Sequence, residues 1–317
     1  MKKHIRNFLI VTTLTTIAMH IFNRIISFTS KLKNLLKTDQ GQFYEWKYGN
    51  IFYKKIGKGA PILLVHDLNP SSSSIEWDRI YKQLSKNHTV YMIDLLGCGR
   101  SDKPNLTYTN YLYVQLMTDF IKHVINEKAN IVATGSSCSF SIMSCNMDPE
   151  YYNKIILINP EELSELAKIP GKRKNAVKFL MELPIIGTFI YNILYSNSKI
   201  RSYFAEAYFS KTHLVPDMLT NSYYESAHSG NSKGKYLQSS IYANYTNINI
   251  VHALKKINNS IYMIGGEENK SIQDTFKAYT NYNSSIETTL IKHSKNIPQL
   301  EMPDQLLNQV ELFLNSI

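Results

Sequence analysis

The stretch Asn130-Ile131-Val132-Ala133-Thr134-Gly135-Ser136-Ser137-Cys138-Ser139 decides how the chain is read. Asn130–Ala133 has the β-branched, apolar character of a short strand, and Phe140 onward has the apolar spacing of a helix ending near Asn146. Between them lie only small residues. A strand that turns at once into a helix needs small side chains two before and two after the apex, because backbone and helix pass close there. Gly135 and Ser139 meet that demand, which puts the Ser137 hydroxyl at the apex.

Working outward, strands and helices alternate. Pro61–Val65 is a continuous apolar run, as expected of a strand buried on both faces. A helix over about 75–85 and a strand over Thr89–Leu95 follow, then a helix over Tyr111–Ile125. Beyond the turn come a strand at Lys154–Ile158, a strand at Ser260–Gly265, a helix at Ile272–Tyr279, a strand at Glu287–Ile291 and a last helix from Pro303 to Leu314. This order predicts an α/β fold with a mostly parallel central sheet flanked by helices. Phe43–Tyr48 and Ile51–Lys55, around Gly49-Asn50, predict a leading hairpin. Residues 161–240 break the alternation and read as a helical insertion.

Several motifs stand in order along this frame. Leu63-Leu64-Val65-His66-Asp67 ends the first apolar strand. Asp94-Leu95-Leu96-Gly97-Cys98-Gly99-Arg100-Ser101-Asp102-Lys103-Pro104 follows the next, and Pro298-Gln299-Leu300-Glu301-Met302-Pro303 opens the final helix. With the turn at Ser137, the chain from about residue 42 to 317 resembles the α/β-hydrolase superfamily, in its lipase, esterase and haloalkane-dehalogenase-like branch. The resemblance implies an α/β-hydrolase domain over 39–317, with 161–240 as the cap that roofs the active site.

It also implies a nucleophile, an acid and a histidine base. Ser137 matches the nucleophile. The backbone N–H of Cys138 and that of Leu68, or of Asp67, match the oxyanion donors, with Asp67 standing where the family usually has Gly. The acid position, in Gly266-Glu267-Glu268-Asn269, is occupied by Asn269, and the histidine position by Asn296. Glu268 next door, or Glu161 and Glu162 after the sixth strand, are substitute acids. His293, three residues upstream of Asn296, is a displaced base. Two readings stay open: a serine hydrolase acting on esters through an acyl-enzyme on Ser137, or a pseudo-hydrolase that binds without turning over. The aromatic cap suggests a hydrophobic small molecule beneath it.

The charge separates partners. The chain carries 35 Lys and Arg against 25 Asp and Glu, a net of +10. Residues 1–38 hold seven of the basic groups and no acid, so the body is nearly neutral. Nucleic acid is therefore disfavoured. Between Arg6 and Arg24 lie 17 uncharged residues, about 26 Å of helix. Leu14, Ala18, Ile21, Ile25, Phe28, Leu32 and Leu35 continue as one apolar seam. Residues 1–38 are expected to be a basic membrane-anchor helix facing anionic lipid, on a side of the membrane that is not readable. A cleaved signal peptide and a helix packed on the domain are the competing readings. With no C-x-x-C pair and no H-E-x-x-H, neither metal nor cofactor is expected.

Overall fold

The computed structural model describes residues 2–211 and 215–316. Eight strands form one sheet: β1 (Gly41–Trp46), β2 (Gly49–Ile56), β3 (Pro61–Val65), β4 (Thr89–Ile93), β5 (Ala129–Thr134), β6 (Tyr152–Ile158), β7 (Ile261–Gly266) and β8 (Glu287–Ile291). Their spatial order is β1-β2-β4-β3-β5-β6-β7-β8. β2 pairs antiparallel with β1 and with β4, and every pair from β4 to β8 is parallel. The hairpin turn lies at Lys47-Tyr48, two residues earlier than Gly49-Asn50, with Trp46 opposite Gly49.

Every residue of β3, β4, β5 and β7 is buried. This is what continuous apolar runs do when helices cover both faces of a sheet. Alternation divides them between two cores. Leu63 and Val65 pack on one side with Phe120, Phe140 and Tyr279, while Ile62 and Leu64 pack on the other with Trp77, Val310 and Phe313.

The strand order reverses at β3. β3 and β5 are neighbours in register, with Val65 opposite Ala133, so the loops leaving their C-terminal ends meet. This is the position where an open α/β sheet forms its binding crevice. The loops after β6, β7 and β8 line up along the same edge. Over that edge lie helices inserted between β6 and β7, among them Lys172–Glu182, Ile186–Leu194, Asn197–Tyr203, Asp217–Ser232 and Gly234–Tyr242.

The N-terminal helix runs from Lys2 to Thr29 and is long and apolar enough to cross a membrane. Of its residues only Asn23 is buried. Asn23 donates to the Ile185 carbonyl at 3.1 Å and accepts from Asn192 at 2.9 Å, and Phe22 meets Phe189 edge-on. The helix thus docks on the inserted helices through a narrow, largely polar strip. The apolar seam points away: Leu14, Ile21, Ile25, Phe28 and Leu32 are each more than half exposed.

The connection to the body is clamped. The Glu225 carboxylate accepts the N–H of Leu35 at 2.8 Å and of Leu36 at 3.2 Å, and Arg100 Nε donates to the Leu36 carbonyl at 2.7 Å. Hydrogen bonds to a charged acceptor contribute about 1.5–3 kcal/mol each. Glu225→Ala is therefore expected to open this segment locally and to speed trypsin cleavage after Lys33 and Lys37 by about tenfold or more. Cleavage at the wild-type rate would count against the clamp.

Candidate active site at the sheet edge

β5 ends at Thr134 and a helix begins at Ser137, so the turn between them is as tight as expected. Its apex, however, is Gly135. Gly135 has φ +58°, the left-handed conformation in which an L side chain is strained, whereas Ser136 is right-handed and Ser137 is already in the helix. A strained apex is what thrusts a nucleophile out of such a turn. The position that projects into the crevice therefore carries a hydrogen atom in place of a side chain. Ser137, expected at the apex, is fully buried, and its Oγ donates to the His66 carbonyl at 2.6 Å. The expectation fails by two residues because Gly135, Ser136 and Ser137 are all small and satisfy the steric pattern in either register.

The oxyanion donors move with the apex. The N–H of Cys138 is spent inside the helix turn on the Gly135 carbonyl at 3.2 Å. The residue after the apex is Ser136. Its N–H and the N–H of Leu68 point at a common acceptor, which is the pair of donors this turn and the loop after β3 supply. That acceptor is the protein's own. Asp67 Oδ1 takes the Leu68 N–H at 2.8 Å and the Ser136 N–H at 2.9 Å. The same carboxylate oxygen lies where a Cβ on Gly135 would project. Asp67 thus fills both the donor pair and the space of a side chain at the apex.

The Asp67 loop is held from below. His66 is fully buried and neutral: its Nδ1–H donates to the Asp67 carbonyl at 2.7 Å, and its Nε2 accepts the Leu95 N–H at 3.0 Å. Burial lowers its pKa. The Asp67 N–H donates to Glu76 at 3.3 Å, and the Tyr223 hydroxyl donates to the other Glu76 oxygen at 2.8 Å. Burial, with the Asp67 charge adding to it, pushes the Glu76 carboxyl up to about 8. Burial also raises Asp67, with the Ser136 and Leu68 N–H groups pulling it back.

A cavity of about 440 Å³ opens above the apex, lined by Asp67, Gly135, Glu161, Tyr203, Tyr208 and Asn296 among others. Ser136 Oγ donates to Glu161 at 2.5 Å, and burial raises the Glu161 carboxyl to about 7. Asn269 and Asn296 both line this cavity. Asn296 uses its amide N–H to hold the Ala207 carbonyl at 2.8 Å. Asn159, at the end of β6, donates to the carbonyls of Lys295 and Asn296 at 3.1 and 3.0 Å and accepts the Gly266 N–H at 3.1 Å. Asparagine amides therefore tie together the loops that would have presented an acid and a base.

Of the substitutes suggested by sequence, Glu161 and Glu162 line the cavity, whereas His293 and Glu268 do not reach it. His293 is exposed, in a left-handed turn after β8, and Glu268 is exposed after β7; neither lines the cavity. The loop that carries His293 is held by Glu301, which accepts the Lys295 N–H at 2.6 Å and the Ser294 hydroxyl at 3.0 Å. Cys138 is buried with its thiol shifted well upward by desolvation. Among the described residues no group of three or more His, Cys, Asp or Glu is placed to hold a metal ion.

Glu76 dictates a pH dependence. An unfolded Glu ionises near 4.5, whereas the folded carboxyl keeps its proton until about 8. Between these values the folded state holds the extra proton, so stability is highest below about 4.5 and falls as pH rises to 8. The slope from one such group approaches about 1.4 kcal/mol per pH unit. Thermal melts from pH 5 to 8 should show the decline, and Glu76→Gln should make it shallower, most clearly between pH 7 and 8, above the range in which Glu161 contributes a slope of the same sign. A melting temperature rising over that range would contradict the buried, protonated Glu76.

Comparisons with known proteins agree with this architecture. A sequence profile of the alpha/beta hydrolase family matches residues 62–309. An uncharacterised protein of Mycobacterium tuberculosis is 28% identical over 142 residues, 42% of this chain, and the match spans 40% of that protein's length. Proline iminopeptidase of Heyndrickxia coagulans is 22% identical over 284 residues, covering 85% of this chain and 96% of the peptidase. Among solved structures, a serine hydrolase involved in carbazole degradation superposes with a TM-score of 0.70 at 17% identity, covering 86% of this chain and 98% of the other. With the profile matching well over half of its length and the sheet, turn and crevice in the corresponding places, the chain belongs to the alpha/beta hydrolase family.

Proposed function

We propose that this chain is a membrane-tethered binding protein built on the hydrolase fold, with no acyl-transfer chemistry at its crevice. The observation that carries this reading is Asp67. An oxyanion hole works by keeping two N–H donors free for charge that develops in the transition state. Here both donors already hold one oxygen of the Asp67 side chain, at 2.8 and 2.9 Å. A carbonyl oxygen arriving there meets an occupied site.

The catalytic groups support the same reading. The apex is Gly135, and the two residues that the resemblance aligns with the acid and the base, Asn269 and Asn296, line the cavity as amides. Asparagine cannot act as a general base near pH 7. Loss of a triad costs about six orders of magnitude, and the remaining rate comes from the oxyanion hole and binding; in this chain the hole is also taken. Binding remains available. A second cavity, of about 520 Å³, lies under the inserted helices, with Leu68, Leu194, Tyr195, Ile200 and Phe204 in its walls. Its apolar lining suits a hydrophobic small molecule. The tether is the N-terminal helix: its outward seam, basic flanks and lack of acids suit an anionic lipid surface.

One geometry favours retained chemistry, the Ser136–Glu161 pair, and the test addresses it. Full-length protein in nanodiscs should neither be labelled by a fluorophosphonate nor hydrolyse p-nitrophenyl esters faster than its Ser136→Ala and Ser137→Ala variants. Saturable turnover lost in either variant would overturn the proposal. The blocked apex makes a second prediction. Gly135→Ser alone should lose about 2 kcal/mol or more, from a strained φ and from overlap with Asp67. Adding Asp67→Gly should recover most of that loss, as read by denaturant titration. Strictly additive effects would show that the two positions do not compete for one space.

A further inference from the structure

Two of the inserted helices are turned inside out. In Lys172–Glu182 the inward side carries Met181, together with Lys174 and Lys178, which reach Asn244 at 2.8 Å and Glu182 at 2.5 Å. The outward side carries Ala176, Val177, Phe179 and Leu180, with Phe179 68% exposed. In Ile186–Leu194 the inward side holds Gly187, Tyr191 and Asn192. Its outward arc is Ile186, Phe189, Ile190, Ile193 and Leu194, with no polar residue between them; Ile186, Ile193 and Leu194 are each nearly half exposed. Water-facing helices of a soluble domain show the opposite pattern, and a contiguous patch of this kind marks an interaction surface.

We infer that this corner of the cap is a second membrane contact, lying in the plane of the anionic leaflet that takes the N-terminal helix. The inference rests on the proposed tether and adds an orientation to it. Three observations select a bilayer as the occupant. The patch adjoins the N-terminal helix, through Phe22 on Phe189 and Asn23 on Ile185. Its rim is basic: Lys172 and Arg173 are exposed at the start of the first helix, and the outward side of both helices carries no acid. The helices meet at 100° and have 11 and 9 residues. That makes them about 16 and 14 Å long, too short to span a core of about 30 Å but suited to lying on it. Leu194 also lines the second cavity, so the cap would bring that opening to the lipid.

Site-specific fluorescence tests this on the full chain. The native Cys98, Cys138 and Cys145 are buried, so a cysteine introduced at the surface takes the label. An environment-sensitive probe is placed on Phe8→Cys, Phe179→Cys, Ile193→Cys and, on the opposite body surface, Leu312→Cys. The protein is then bound to vesicles of phosphatidylcholine with phosphatidylglycerol carrying a nitroxide-lipid quencher. Probes at 8, 179 and 193 should all be quenched and the probe at 312 should not. In a Lys172→Glu, Arg173→Glu background, quenching at 179 should fall while that at 8 persists. Quenching at 8 with none at 179 and 193 overturns the cap contact and leaves the tether standing. No quenching at 8 removes the tether and this inference with it. Equal quenching at 312, or a blue shift at 179 that needs no vesicles because a second copy covers the patch, overturns the assigned occupant.

Discussion

One carboxylate organises the functional edge of this protein. Asp67 leaves β3 and reaches across to β5, accepting N–H groups from Leu68 and Ser136. Both donors face the crevice where the two loops meet, and Asp67 is the partner that each finds there. Buried N–H groups left empty are costly. Solvent or substrate satisfies them in an open crevice; here a side chain does so permanently. The neutral His66 and the protonated Glu76 fit around that choice, since two ionised carboxylates in one buried loop would repel.

Side-chain amides make similar internal contacts along the edge. Asn159 and Asn296 make hydrogen bonds that hold the ends of β6, β7 and β8 and the segment Ala207-Tyr208 of the cap. A triad keeps its groups partly free and correctly protonated, at some cost to stability. Amides need no particular protonation state and fix geometry at any pH. The loops after β6, β7 and β8 are thereby joined to one another and to the cap by amide hydrogen bonds.

Much of the architecture was legible in the sequence, and for a physical reason. Strands buried on both faces leave unbroken apolar runs, so Pro61–Val65 and Lys154–Ile158 were readable, as was the helical insertion between the sixth and seventh strands. Asn269 and Asn296, singled out from the motifs around them, do line the cavity at the sheet edge. The turn was misread because steric smallness cannot distinguish Gly135 from Ser137; only the backbone φ does. Nor could the direction of the Asp67 carboxylate be read, since it depends on two loops distant in sequence that meet where the strand order reverses. The apolar seam of the N-terminal helix was readable as a seam, but which way it faces was set by a few polar contacts at Asn23. In Lys172–Glu182 the inward turn of Lys174 and Lys178 depends on partners distant or hidden in the sequence pattern, Asn244 and Glu182.

Gly135 and Asp67 occupy one space, and this ties the two positions together. A serine arriving alone at 135 meets the carboxylate; a glycine arriving alone at 67 opens the oxyanion hole above an apex that has no nucleophile. The first change carries a penalty in stability, and the second removes the acceptor that two N–H groups now share. The two positions are therefore coupled: what can stand at one depends on what stands at the other, although they lie 68 residues apart in the chain.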